Sequence, residues 1–116
     1  MNHTYHDLVS QTFYFPQEGF GLEENTLLFH GIRLYDLLEK YGTPLKFVYL
    51  PKISDQIKKA KNYFETAIFQ LQYQGKYNYT YCTKSCHFRY VLEEVLKNDV
   101  HLETSSAFDI DLIWKL

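Results

Sequence analysis

Tyr77-Asn78-Tyr79-Thr80-Tyr81-Cys82-Thr83-Lys84-Ser85-Cys86-His87 is the stretch on which the fold turns. Up to Thr83 its residues are β-branched, aromatic or polar, and helical spacing of apolar residues begins only at Phe88. The pattern predicts a strand that ends on Lys84 and runs into a helix. Alternation along a strand puts Asn78, Thr80, Cys82 and Lys84 on one face, and Tyr77, Tyr79, Tyr81 and Thr83 on the other.

About twenty residues on, the spacing of a strand-helix-strand repeat, comes Val100-His101-Leu102-Glu103-Thr104-Ser105. Val100 and Leu102 are expected to meet covering helices, while His101, Glu103 and Ser105 share a polar face. If the two strands are parallel neighbours ~4.8 Å apart, Glu103 comes within side-chain reach of Lys84. Parallel strands usually read as unbroken apolar runs, so a polar face suits the lining of a pocket, and ligands in such sheets collect at the carboxyl ends of the strands. The plain alternative is a solvated lysine beside a surface glutamate, the commoner fate of such residues. Spacing alone does not choose between them.

Outward from this pair, residues 87–98 show Phe88, Val91, Leu92, Val95 and Leu96 at helical spacing, with Arg89 and Glu93 four apart and able to pair. Asn98-Asp99 breaks that helix. Ser106-Ala107-Phe108-Asp109 has the form of a capping box, which gives Asp109 a structural task at a helix start. Upstream, residues 52–73 carry an apolar stripe of Ile53, Ile57, Ala60, Phe64, Ala67, Ile68 and Leu71, so Lys58, Lys59 and Lys61 read as a solvated helix face. Pro51 opens this helix. Residues 45–50 read as a strand set off by Thr43-Pro44, and residues 33–41 as a short amphipathic helix closed by Gly42. Before them lie a strand over 27–29, a turn at 23–26 and an aromatic-rich arm over 1–21 with at most a short helix at 6–11.

Tyr41-Gly42-Thr43-Pro44-Leu45, Leu50-Pro51-Lys52-Ile53, Tyr81-Cys82-Thr83-Lys84 and Glu103-Thr104-Ser105-Ser106-Ala107-Phe108-Asp109 together resemble the opening third of the pyridoxal-phosphate decarboxylases with an alanine-racemase-like barrel, the family of diaminopimelate, ornithine and arginine decarboxylases. Glu103, where several members have Asp, leans toward the bacterial arginine decarboxylases, as does the run Thr12-Phe13-Tyr14-Phe15-Pro16-Gln17. The resemblance implies that Lys84 forms the internal aldimine with pyridoxal 5'-phosphate and is the catalytic lysine. It also implies that Glu103 joins Lys84 in binding the cofactor, with Ser106 and Asp109 matching the family's next two polar positions. Cys86 stands where the family often has Asn, and Ala107-Phe108 where it often has Gly-Gly, which bears on the backbone path and the substrate.

The fold so implied is α/β: an N-terminal arm and short strand/helix segment over 1–44, which would pack on a second domain, followed over 45–116 by the first units of an incomplete parallel (β/α)8 barrel. A whole barrel takes ~250 residues, so the 116 residues here, ending inside an apolar periodic run, read as a fragment expected to be inactive alone. Complete, it would act on an amino acid, most of all converting arginine to agmatine and carbon dioxide, as a homodimer or higher homo-oligomer. Diaminopimelate or ornithine decarboxylation and a cofactor-free aromatic interaction domain are the rivals.

A net charge of −2, from 12 basic and 14 acidic residues, offers nothing to nucleic acid. No apolar run is long enough to span a membrane, and no basic-then-apolar leader opens the chain, so cytoplasmic residence is expected. Cys82 and Cys86 read as reduced thiols, and no histidine pair is spaced for a metal.

Overall fold

A computed structural model describes residues 19–116. The expected helix over 6–11 and nearly all of the aromatic arm lie outside the described residues. The chain divides into two compact units between Phe47 and Val48.

The first unit is an antiparallel meander followed by a helix. Strands β1 (Phe20–Glu23), β2 (Thr26–Phe29) and β3 (Ile32–Arg33) lie in that order, with Glu23 opposite Thr26 and Phe29 opposite Ile32. Each register leaves a two-residue loop. Both residues of each loop have positive φ, Glu24 at 47° and Asn25 at 62°, then His30 at 49° and Gly31 at 79°. That geometry matches the right-handed twist of the paired strands. The rings of Phe20 and Phe29 lie 4.8 Å apart and those of Phe29 and Phe47 5.2 Å apart. Helix α1 (Leu34–Tyr41) follows and packs on β2. It closes as expected at Gly42, whose φ of 80° lets its N–H return to the Leu38 carbonyl at 2.8 Å. The expected strand at 27–29 is present, and its partner β1 lies where the sequence suggested only an arm.

The second unit opens with helix α2 (Leu50–Gln70), carrying Pro51 in its first turn, where a missing N–H costs nothing. The strand expected over 45–50 does not form. Residues 45–49 have no ladder partner among the described residues, and apolar character without a neighbour does not make a strand. Strand β4 (Thr80–Cys82), a single 3₁₀ turn over Thr83–Ser85, helix α3 (Arg89–Leu96), strand β5 (His101–Glu103) and helix α4 (Ala107–Ile113) complete the unit. β4 and β5 pair in parallel, with Thr80, Tyr81 and Cys82 opposite His101, Leu102 and Glu103. This right-side-up pairing across α3 is a β-α-β unit; no closed barrel forms among the described residues.

The core of this unit is Ile57 from α2 with Val91 and Val95 from α3, joined by Tyr79, Tyr81, Val100 and Leu102. The aromatic face of β4 therefore packs inward, as alternation predicts. The apolar stripe expected over 52–73 is only half used: Ile57 is buried, whereas Phe64 and Leu71 are exposed because the helix runs past the core. Phe88 and Leu96 at the ends of α3 are likewise exposed.

Two polar links hold α2 to α3. Asn98 donates through Nδ2 to the Ser54 hydroxyl at 2.9 Å, and Ser54 donates to the Glu94 carboxylate at 2.5 Å. Lys61, expected to be solvated, donates instead to the carbonyls of Asn98 and Asp99 at 3.1 and 2.8 Å, a cation on the carbonyl end of α3. The Arg89–Glu93 pair forms as expected, at 2.8 Å.

Candidate functional site at the ends of two parallel strands

The strand expected to end on Lys84 ends two residues earlier, at Cys82. Thr83, Lys84 and Ser85 form the 3₁₀ turn, in which Thr83 is 1% exposed and Lys84 is exposed, the opposite sides that alternation gave them. Parallel register sets Cys82 beside Glu103, so the turn carrying Lys84 leaves β4 at the same end of the sheet at which β5 finishes on Glu103. The polar face expected for the pair is present. Thr80 and Cys82 share it with His101 and Glu103, and the Cys82 thiol lies 3.9 Å from the Ser105 hydroxyl.

Lys84 and Glu103 do not form an ion pair with each other, and neither side chain has a hydrogen-bonded or ionic partner among the described residues. The amine is uncommitted. A lysine in that condition is a nucleophile toward a carbonyl whenever it sheds its proton.

Beneath the pair lies a buried polar network that sequence reasoning found only in part. The Thr83 hydroxyl donates to the backbone carbonyl of Glu103 at 3.0 Å. Ser106 caps α4 as the sequence pattern predicts, its hydroxyl accepting from the Asp109 N–H at 3.3 Å. Asp109 departs from the standard box: its carboxylate accepts from the N–H of Ser105, one residue earlier than the cap, at 3.0 Å. The Ser105 N–H holds the Asp109 carboxyl below the usual carboxylate range against the opposing effect of burial, with help from the hydroxyls of Thr83 and Ser106. Alternation put Thr83 on the inward face with Tyr79 and Tyr81, where it is buried, but its bond to Glu103 depends on the neighbouring strand, which periodicity within one strand does not encode.

Nearby, the Tyr81 phenol donates to the Cys86 carbonyl at 3.0 Å, and its pKa is pushed up first by burial and then by the Cys86 thiol. Both cysteines are free thiols. On the side of α2, the Glu94 carboxyl is lowered by its hydrogen bond from Lys97 and then by that from Ser54.

A groove of about 840 Å³ lies elsewhere in this unit, between the end of α2 and residues 72–77, walled by Ile68, Phe69, Tyr73 and Tyr77. It is wide open to solvent, and one wall is closed by Tyr77 stacking on Phe64 at 4.1 Å. Its lining includes a carboxylate and an amine of its own, Glu65 and Lys76, but these stand on a helix and the loop after it and not at the ends of paired strands.

No family model matches the chain, and no curated protein or solved structure is significantly similar to it. Among the described residues no helix is long and apolar enough to cross a membrane.

Proposed function

We propose that the chain is the N-terminal part of a pyridoxal-phosphate-dependent decarboxylase of a basic amino acid, with arginine the favoured substrate and agmatine and carbon dioxide the products. In that reading residues 45–116 are the opening of a parallel (β/α)8 barrel, and the complete enzyme is a cytoplasmic homodimer or larger homo-oligomer serving polyamine synthesis. The observation that carries it is the uncommitted amine of Lys84 on the turn directly after β4, at the end of the sheet where parallel β5 finishes on Glu103.

The residues present fit the cofactor in one respect that counts: an exposed lysine, free of any ion pair among the described residues, meets the need for an amine that can reach an aldehyde. When bound, pyridoxal phosphate supplies an electron sink for the charge left as carbon dioxide departs. Lys84 would hold it covalently. Glu103 would position Lys84 and bias its charge: a carboxylate favours the ammonium form and a dry pocket the free amine, so the water between them sets the balance.

The test is to incubate the complete protein with pyridoxal phosphate, fix the adduct with borohydride and map the labelled peptide. Label is expected at Lys84 and lost in Lys84→Ala; an unlabelled Lys84 peptide in the native sequence overturns the reading. Assays with arginine, ornithine and diaminopimelate then separate the substrates. A second reading, a cofactor-free aromatic interaction domain, is favoured by the exposure of Phe69 (83%), Phe108 (82%) and Trp114 (90%), and the same unlabelled peptide would support it.

A further inference from the structure

We propose that Thr83 and Asp109 are positioning residues, which fix Lys84 against Glu103 through a buried tie joining the ends of β4 and β5 to the start of α4. The proposal rests on the reading of Lys84 as the cofactor-holding amine. Thr83 and Asp109 are the only buried polar side chains among the described residues, at 1% and 7% exposure; Thr83 opens the turn that carries Lys84, and Asp109 bonds the chain just past Glu103. Burying polar groups costs stability unless their bonds are met, and a purely apolar contact would serve a structural joint as well.

Two features of the bonding point past a simple cap. First, Thr83 immediately precedes Lys84 and its acceptor is the carbonyl of Glu103 itself, so a single 3.0 Å bond ties the side chain of Lys84's neighbour to the backbone of Glu103. Second, capping α4 requires only Ser106 and Asp109, yet the Asp109 carboxylate also takes the Ser105 N–H at 3.0 Å and lies within reach of the Thr83 hydroxyl. That hydroxyl gives its one proton to Glu103 O at 3.0 Å, and the bond holds the turn in place. With Thr83 drawn inward, the next residue of the 3₁₀ turn, Lys84, is left exposed to solvent.

Saturation kinetics of pyridoxal phosphate capture by the complete protein, read by borohydride-fixed label at Lys84, test this. They separate the half-saturating concentration of pyridoxal phosphate from the first-order capture rate. Thr83→Val keeps the shape and removes the bond. It is expected to slow capture by about tenfold to a hundredfold, the usual penalty for a small misplacement of a reacting group, with half-saturation little changed. Thr83→Ser is expected to restore the rate, and Asp109→Asn, which keeps the size of the side chain, to slow it by less than Thr83→Val. A folded Thr83→Val protein that captures at the native rate overturns the proposal, as does Thr83→Ser failing to recover it. Should Thr83→Val not fold, Asp109→Asn decides alone, a native rate overturning the proposal. Absence of label at Lys84 in the native protein is a different result: it removes the functional reading, and the positioning role falls with it.

Discussion

The two units of the chain solve the same problem by opposite means. In the first, none of the described residues is buried, and order comes from short-range geometry: two tight loops with positive φ, a three-strand ladder and a glycine-closed helix. In the second, every buried residue of the described chain is found, Ile57, Val91, Leu92 and Val95 together with Thr83 and Asp109, and strands far apart in sequence are brought together over a helix. Turn chemistry can set a register without a core, but only a core can hold two parallel strands, because no short loop joins them. The candidate site is in the second unit for that reason: side chains contributed from residues some twenty positions apart need a packed scaffold to hold them together.

The sharpest way to break this contrast is to remove core. Ile57 is 2% exposed against α3, so Ile57→Ala is expected to cost about 2–5 kcal/mol in the second unit. Leu28→Ala in β2, where the side chain is only half-buried, should cost well under half of that. Hydrogen exchange followed residue by residue is the suitable measurement, since two units need not unfold as one. Equal losses of protection from the two substitutions would erase the distinction between a core-held and a turn-held unit.

How far these differences could be read beforehand follows the same division. Periodicity announced α1, α2 and α3, the Arg89–Glu93 pair, the Ser106 cap and the split of β4 and β5 into an apolar and a polar face, because each depends on residues a few positions apart. It failed where partners decide. Residues 45–50 have the composition of a strand and no neighbour to pair with among the described residues. Lys61 looked solvated until α3 presented its carbonyl end. Alternation carried the expected strand on to Lys84, yet β4 ends at Cys82 and a 3₁₀ turn follows, although Thr83 and Lys84 keep the inward and outward sides that alternation gave them. Glu103 has Cys82 as its partner in the sheet and Lys84 lies on the turn beyond, while the hydroxyl of Thr83 and the carboxylate of Asp109 find their partners only once β5 lies beside β4.

Acid should distinguish the units next. Glu94 and Asp109, both in the second unit, have carboxyls lowered by hydrogen bonds in the folded state. A carboxyl with a depressed folded pKa adds stability that is fully present above its unfolded value, about pH 4, and is lost as pH falls through the folded value. Protection of α3 and α4 is therefore expected to decline below about pH 4 while that of β1 and β2 holds. Glu94→Gln should flatten the decline for α3, and Asp109→Asn that for α4. A decline shared equally by β1 and β2, or unchanged in both variants, would show that these two carboxylates do not set the acid limb.

The smallest effect sharpens the comparison from the side of the first unit. Glu24 and Asn25 occupy the β1–β2 loop at φ 47° and 62°, a conformation in which a residue with a side chain is strained unless it is Asn or Asp, and which Asn-Gly adopts most readily. Replacing the pair by Glu24→Asn with Asn25→Gly keeps the register of Glu23 against Thr26 and removes much of that strain. A gain of about 0.5–1 kcal/mol in the opening free energy of the β1–β2 amides is expected, since glycine's own entropic cost offsets part of the relief. The exchange rates of Val91 and Val95 in α3 should stay as they were. If the loop change instead slowed exchange at α3, stability would be passing between the units, and turn geometry could no longer be regarded as the local device that orders the first unit by itself.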